Sequence, residues 1–428
     1  MDRWRLAAIL TVVVLAIGAC GGDDDDGGNG GGGGDGATAD APQVSQANAQ
    51  GDVTWCIGRD TTGAFKTVVD NFNQQNQNAN VELLELPESA DEQRRLQIQR
   101  LRAESPECDV LGIDVIWTAE YAAQGWLYDV SEPIEQRSDV FIPSTLETAQ
   151  FEDTYWAVPF NTNAGFVYWR TDQGGDQPPD SWQALYEQAQ QENGLVYQGA
   201  RYEGLTVNFL ELLYSAGASV VNEDATEATA DTQEVRDVLA FMRRGVTSGA
   251  VPQAVTTYME EESRRAFESG RATYMRNWPY AYALGQDSQI AGDFEVTTFP
   301  SYQGNEGAGV LGGYNLGISA YSQNAEGSLA FIEFTTTPEQ QQIMVTEASL
   351  PSVLTEVYDA QEVQDALPFA SDLRDAVSQA EPRPVSPVYP QISEAIYTNA
   401  YAALQGEKSP DQAAQDMNQG IQEALETF

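Results

Sequence analysis

Histidine is absent from the 428 residues, and only three cysteines occur. This excludes Ser-His and Cys-His nucleophilic catalysis and leaves almost no zinc, copper or haem ligation. The side chains left to do chemistry are carboxylates, amides, guanidiniums and aromatics. Asp114 and Trp117 stand three apart at a strand end and helix start, a spacing that would put a carboxylate and an indole on one cleft wall. A helix N-cap followed by a core Trp fits that spacing equally well. Asn163 lies where the chain passes from its first half to its second, so its amide could reach across, or serve a turn. Trp278 and Tyr280 flank Pro279, which breaks regular structure and can leave the indole facing a cleft rather than a core. In "GGYN", Gly313 and Tyr314 pair an aromatic with a residue that lets backbone approach closely; a plain strand bend uses the same residues. Arg383 sits between Pro382 and Pro384, either as a stiffened guanidinium aimed at hydroxyls or as half of a surface ion pair. Arg59 and Asp60 follow the first strand, while Glu203 and the run Glu260 to Glu262 fall at helix starts, where acids are favoured in any case. Such a set hydrogen-bonds hydroxyls through carboxylates and amides and covers apolar ring faces with aromatics.

These residues must be positioned by an alternating set of elements. "VTWCI" predicts a strand, and Phe65, Val68, Val69 and Phe72 then recur at i, i+3, i+4, i+7, one helix face. "VELLEL", "ADEQRRLQIQRLRAES" and "CDVLGIDV" continue as strand, helix and strand, a βαβαβ start of the doubly wound kind. In such sheets ligands sit beyond the carboxyl ends of the strands, here Gly58 to Asp60 and Asp114 to Trp117. A second α/β unit follows, with helices at "DSWQALYEQAQQ", "LTVNFLELLYSAGA" and "TQEVRDVLAFMRRGV" and strands at "GLVYQG", "RATYMRNWPY" and "FEVTTFP". From "VLGGYNLGIS" onward the pattern is mostly helical, and no solenoid repeat is found.

The amino end has a different character. Arg3 and Arg5 precede an apolar run from Leu6 to Ile17, too short to span a bilayer, and Ile17-Gly18-Ala19-Cys20 matches a bacterial lipobox. We expect residues 1–19 to be a lipoprotein signal peptide and Cys20 to carry the lipid on the extracytoplasmic face of the cell membrane. Residues 21–36 are ten Gly, five Asp and one Asn, so 20–51 reads as a loose tether; its formal GxGxxG has no flanking strand or helix. Cys56 and Cys108 then form an even pair in an exported domain, for which a disulfide is expected. Net charge is −44, with Lys66 and Lys408 the only lysines, which excludes nucleic acid as a partner.

Six stretches in one order give these readings a common source: "DVLGIDVIWTAEYAAQGWLYDV", "YWAVPFNTNAGFVYWRTD", "YEGLTVNFLELLYSAGA", "AFESGRATYMRNWPYAY", "VLGGYNLGIS" and "RPVSPVYPQISEAIY". Together they resemble the extracellular solute-binding lipoproteins (family 1) of carbohydrate ABC transporters, the class of maltose-binding protein and of actinobacterial trehalose-binding lipoproteins. The resemblance implies a two-lobed α/β periplasmic-binding-protein fold, the lobes being 52–158 plus 300–347 and 159–299 plus 348–428. Hinge crossings would lie near 157–162, 297–302 and 346–351. It implies a sugar held by Arg59, Asp60, Asp114, Trp117, Asn163, Glu203, Glu260, Trp278, Tyr280, Gly313, Tyr314 and Arg383, with no cofactor, no metal and no catalysis. A membrane permease is the implied partner of a monomer. Trehalose, maltose or another α-glucoside is the first expected ligand and a glycerol-phosphate-type solute the second. A secreted glycoside hydrolase and a scaffold lipoprotein without a ligand are the competing classes; no local pair of carboxylates suggests the former's acid and nucleophile.

Overall fold

A computed structural model describes residues 41–175 and 177–427; the expected signal peptide, lipobox and most of the tether fall outside the described residues. Strand β1 (Gly51–Gly58) carries Trp55, Cys56 and Ile57 fully buried, and the helix Ala64–Gln75 that follows turns Phe65, Val68, Val69 and Phe72 inward, as the spacing predicts. Strands β2 (Ala79–Leu86) and β3 (Val110–Asp114) flank β1 in parallel, with the helix Ala90–Arg102 between them in sequence. A short hairpin, β4 (Gln150–Phe151) and β5 (Thr154–Tyr155), leads into β6 (Val158–Asn163). The chain then crosses to β7 (Phe166–Arg170), β8 (Leu195–Val196), β9 (Tyr274–Asn277) and β10 (Phe294–Thr297), and returns as β11 (Gly312–Ile318).

Besides the β4-β5 hairpin, the described residues form two larger sheets, in the orders β2-β1-β3-β11-β6 and β10-β7-β9-β8. Each of these two is the floor of one α/β lobe, the expected two-lobed fold. Because β6 pairs with β11 through Asn163, the first sheet extends past the expected boundary at 158, and the chain leaves it at Ala164 and Gly165. The third crossing likewise starts later than expected: Thr346 still belongs to the helix Pro338–Ala348, and the Thr162 amide donates to the Pro351 carbonyl at 3.1 Å, tying two crossings together. The helices Ala325–Thr335 and Pro338–Ala348 pack on the first lobe, whereas Tyr389–Gln405 and Pro410–Leu425 pack on Glu203–Ser215 and Gln233–Ser248 of the second.

In the first core Trp55 meets Phe65, Phe160 and Phe331 at ring-centroid distances of 5.2, 5.4 and 5.2 Å. Beside it Cys56 of β1 and Cys108, just ahead of the neighbouring β3, form the expected disulfide, with Cα atoms 5.7 Å apart and a sequence separation of 52. Closing a loop of that length is worth about 4 kcal/mol in the chain-entropy model. We expect a Cys56→Ala/Cys108→Ala variant to lose roughly that much stability, read as a lower urea midpoint; an unchanged midpoint would show that the cross-link constrains little.

Candidate functional site

The carboxyl ends of β1 and β3 and the start of β11 meet the second lobe around a cavity of about 190 Å³. Eleven of the twelve expected ligand residues line it: Arg59, Asp60, Asp114, Asn163, Glu203, Glu260, Trp278, Tyr280, Gly313, Tyr314 and Arg383. The exception is Trp117. It is 2 % exposed and stacks on Tyr121 at 6.3 Å inside the first lobe, so it is a core residue and not a cleft wall. The 3-10 turn Val115–Trp117 after Asp114 points the indole into the core while leaving the carboxylate at the rim; Asp114 caps that turn, its Oδ1 accepting from the Ile116 amide at 3.3 Å.

Trp278 forms the aromatic wall. Its ring is half-buried and lies on the Arg276 guanidinium, 4.0 Å from the ring centroid. Arg276 is in turn held by Glu211, which accepts from Nε at 2.8 Å and from Nη2, and by Gln198 Oε1 at 3.0 Å from Nη1. The Trp278 amide donates to Asn277 Oδ1 at 2.8 Å, and its carbonyl accepts from the Tyr168 hydroxyl at 2.8 Å. Gly312 lies beneath the ring edge, where an added Cβ would stand 3.1 Å from Cη2. At Gly313, with φ of 121°, a Cβ would overlap the Asn161 carbonyl oxygen, so only glycine keeps β11 against β6 here.

Arg383, also in the cavity lining, joins the lobes. It is 4 % exposed; Nη2 donates to Asp114 Oδ1 at 2.8 Å and Nη1 to Glu203 Oε1 at 2.9 Å. Its guanidinium is therefore a buried bridge between two carboxylates as well as a wall of the cavity. Glu203 opens the helix Glu203–Ser215 and also accepts from the Tyr389 hydroxyl at 2.7 Å and from Ser393. Asp60 spends both oxygens on its own loop, accepting from the Thr62 amide at 2.8 Å and the Phe65 amide at 2.9 Å at the start of the helix Ala64–Gln75. Arg59 is exposed at the rim, 3.6 Å from Glu88. Of the acidic run, Glu260 and Glu261 line the cavity, whereas Glu262 closes a capping box on the Met259 amide at 3.2 Å. Glu261 is engaged by Arg264 and by the Tyr280 hydroxyl at 2.9 Å; Glu260 accepts from the Tyr202 hydroxyl at 2.7 Å. Asn163 Oδ1 is buried without a hydrogen-bond partner among the described residues, which leaves an acceptor for a ligand.

A family model matches residues 67–370, and it describes a bacterial extracellular solute-binding protein. The chain belongs to that family. Consistently, this solute-binding protein is 31 % identical over 403 residues to a probable ABC transporter-binding protein of Deinococcus radiodurans, covering 88 % of its own chain and 94 % of the relative. It is 24 % identical over 353 residues to a mannitol-binding protein of Pseudomonas aeruginosa, covering 71 % and 77 % of the two chains. Its structure superposes on maltose-bound MalE3 of T. maritima with a TM-score of 0.82 and 33 % identity, over 86 % of its own chain and 98 % of the other. Solute-binding proteins of ABC transporters capture and hand over a ligand; they are not enzymes.

The lining residues that sequence reasoning missed include four that shape the cavity of this solute-binding protein. Gln93 is buried and accepts from the Tyr314 hydroxyl at 3.1 Å; Asn161 Oδ1 accepts from the Tyr314 amide at 3.0 Å; Tyr202 and Met259 close the second lobe's side. The signal for Gln93 was present, since Gln93 and Gln97 occupy the buried face of the helix Ala90–Arg102 together with Ile98 and Leu101. Polar residues on a core-facing period mark a helix that borders something polar.

Burial pushes the Glu203 carboxyl up from 4.5 to about 7, against the pull of the Arg383 guanidinium and of the Ser393 and Tyr389 hydroxyls. The folded protein therefore binds a proton there that the unfolded chain has released. Stability from this group is full below the unfolded value and is lost as pH rises from 4.5 to about 7. Burial raises Glu211, Glu260 and Asp91 in the same direction. We expect a higher urea midpoint at about pH 5 than at about pH 8, and a smaller difference in Glu203→Gln; an equal difference in the variant would assign the effect to other groups.

Proposed function

We propose that this solute-binding protein is the capture subunit of a carbohydrate ABC importer and holds an α-linked glucoside, maltose or trehalose, between its lobes. The observation that carries the reading is the Trp278 ring, fixed on Arg276, lining a cavity of carboxylates and amides. A hexose offers that ring an apolar C–H face and offers Asp114, Glu260 and Asn163 its hydroxyls. The likeness to maltose-bound MalE3 supports a disaccharide, and the mannitol-binding relative supports a polyol more generally.

A glycerol-phosphate-type solute is the second reading, and the charge of the walls weighs against it. Six carboxylates line the cavity (Asp60, Glu88, Asp114, Glu203, Glu260 and Glu261) against two guanidiniums, and Arg59 and Arg383 are both already paired with acids. A phosphate would need cations free to converge on it.

Closure of the lobes about the crossings would bury the sugar and present the closed shape to a permease, with Cys20 lipidated and the Gly/Asp tether as the leash. Replacing Cys20 with serine should then release the protein from membranes. Titration calorimetry with maltose, trehalose, mannitol and glycerol 3-phosphate tests the ligand. Saturable binding of either disaccharide, tighter than the other two solutes, is expected; tightest binding of the phosphate would overturn the carbohydrate assignment.

A further inference from the structure

Behind the ligand cavity lies a second one of about 430 Å³. The two are back to back. Asp114 and Gly312 face the first, while their chain neighbours Val115 and Leu311 face the second, so the backbone at the end of β3 and the start of β11 forms part of the divide. One residue lines both: Arg383. Its guanidinium is fixed from opposite lobes by Asp114 and Glu203, and Pro382 and Pro384 restrict the backbone that carries it. Its Nε is buried and has no hydrogen-bond partner among the described residues.

The second cavity suits more of the same kind of ligand. Ser144 supplies a buried hydroxyl oxygen without a partner among the described residues, Gln150 and Gln379 supply amides, and Ile116 and Leu311 supply apolar surface. Among the described residues no aromatic side chain lines it, so it offers hydroxyl partners without a stacking platform.

We propose that Arg383 sets the length of the ligand: its guanidinium closes the cleft after a disaccharide, and the space behind it has room for the next hexose of a longer α-glucoside once that side chain is shortened. The inference rests on the carbohydrate reading above. A rigid partition excludes a longer chain sterically, whereas a guanidinium that merely hydrogen-bonds the sugar acts alike on every length.

The test is a chain-length series of maltose, maltotriose and maltotetraose, with trehalose as a second disaccharide, titrated into the wild type, Arg383→Ala, and Arg383→Ala combined with Ser144→Trp. The wild type should bind maltotriose at least tenfold more weakly than the disaccharide it prefers. In Arg383→Ala the affinity for maltotriose relative to maltose should rise at least tenfold, whatever is lost for both. Refilling the space with Ser144→Trp should cancel that rise, while Ser144→Trp alone should leave disaccharide affinity unchanged. Equal wild-type affinity across the series, or a parallel loss at every length in Arg383→Ala, overturns the partition but leaves the carbohydrate reading intact. Failure of the wild type to bind any of these sugars removes both. Arg383→Gln, which keeps a donor toward one carboxylate, takes the place of Arg383→Ala should the latter not fold.

Discussion

Trp278→Ala is expected to weaken disaccharide binding at least tenfold while both lobes stay folded. The ring is half-buried: it rests on Arg276, 4.0 Å from the ring centroid, and lines the cavity. Removing it deletes the apolar partner of a hexose face, a contact on the order of 1–2 kcal/mol when desolvated, and tenfold corresponds to about 1.4 kcal/mol. Stability should fall less, because β9 and its pairing with β7 do not depend on the indole, and Arg276 keeps Glu211 and Gln198. Titration calorimetry beside a thermal melt separates the two effects. Trp278→Phe should recover much of the affinity; wild-type affinity in Trp278→Ala would mean that the sugar lies elsewhere.

Glu211→Ala should cost about 3–5 kcal/mol of stability, because it strands a charge in the second lobe. Arg276 and Glu211 have side chains 1 % exposed each, and Gly165, at the crossing from β6 to β7, is packed against both. Replacing the pair together, Arg276→Met with Glu211→Leu, removes both charges and should restore most of the stability. Affinity should not recover with it, because the ligand platform would have lost the cation beneath it, an interaction worth roughly 0.5–2 kcal/mol. Urea midpoints and sugar titrations on the single and double variants read the two outcomes. If the double variant regains full affinity, Arg276 serves the core alone and does not tune the platform.

These two residues show how far the sequence reaches. Trp278 was legible because Pro279 interrupts the helical and strand patterns around it, and a break in pattern beside an aromatic marks a surface that faces something. Its support was not legible: Arg276 and Glu211 are 65 residues apart and meet only because β9 and the helix Glu203–Ser215 pack together. Trp117 shows the converse error. Its spacing from Asp114 suits a cleft wall and a core equally, and the turn Val115–Trp117 decides for the core by rotating the indole toward Tyr121. Asp60 lines the cleft as expected, yet its carboxylate is committed to the loop it starts, a local role that its position at a strand end also allowed.

Several properties follow from composition and local pattern alone. The lack of histidine fixes which chemistries are excluded, the alternation of period-2 and period-3.6 segments fixes an α/β architecture, and an even pair of cysteines in an exported chain points to the Cys56–Cys108 cross-link. Each depends on residues that are near one another in sequence or simply counted. The site's electrostatics depend on neither. Asp114, Glu203 and Arg383 come from three distant segments, and the ion pairs that make Arg383 a wall exist only where a strand end of one lobe, a helix start of the other and the returning chain converge. A charge has the same local pattern whether solvated or buried, and only the tertiary fold determines which charges face each other without water between them.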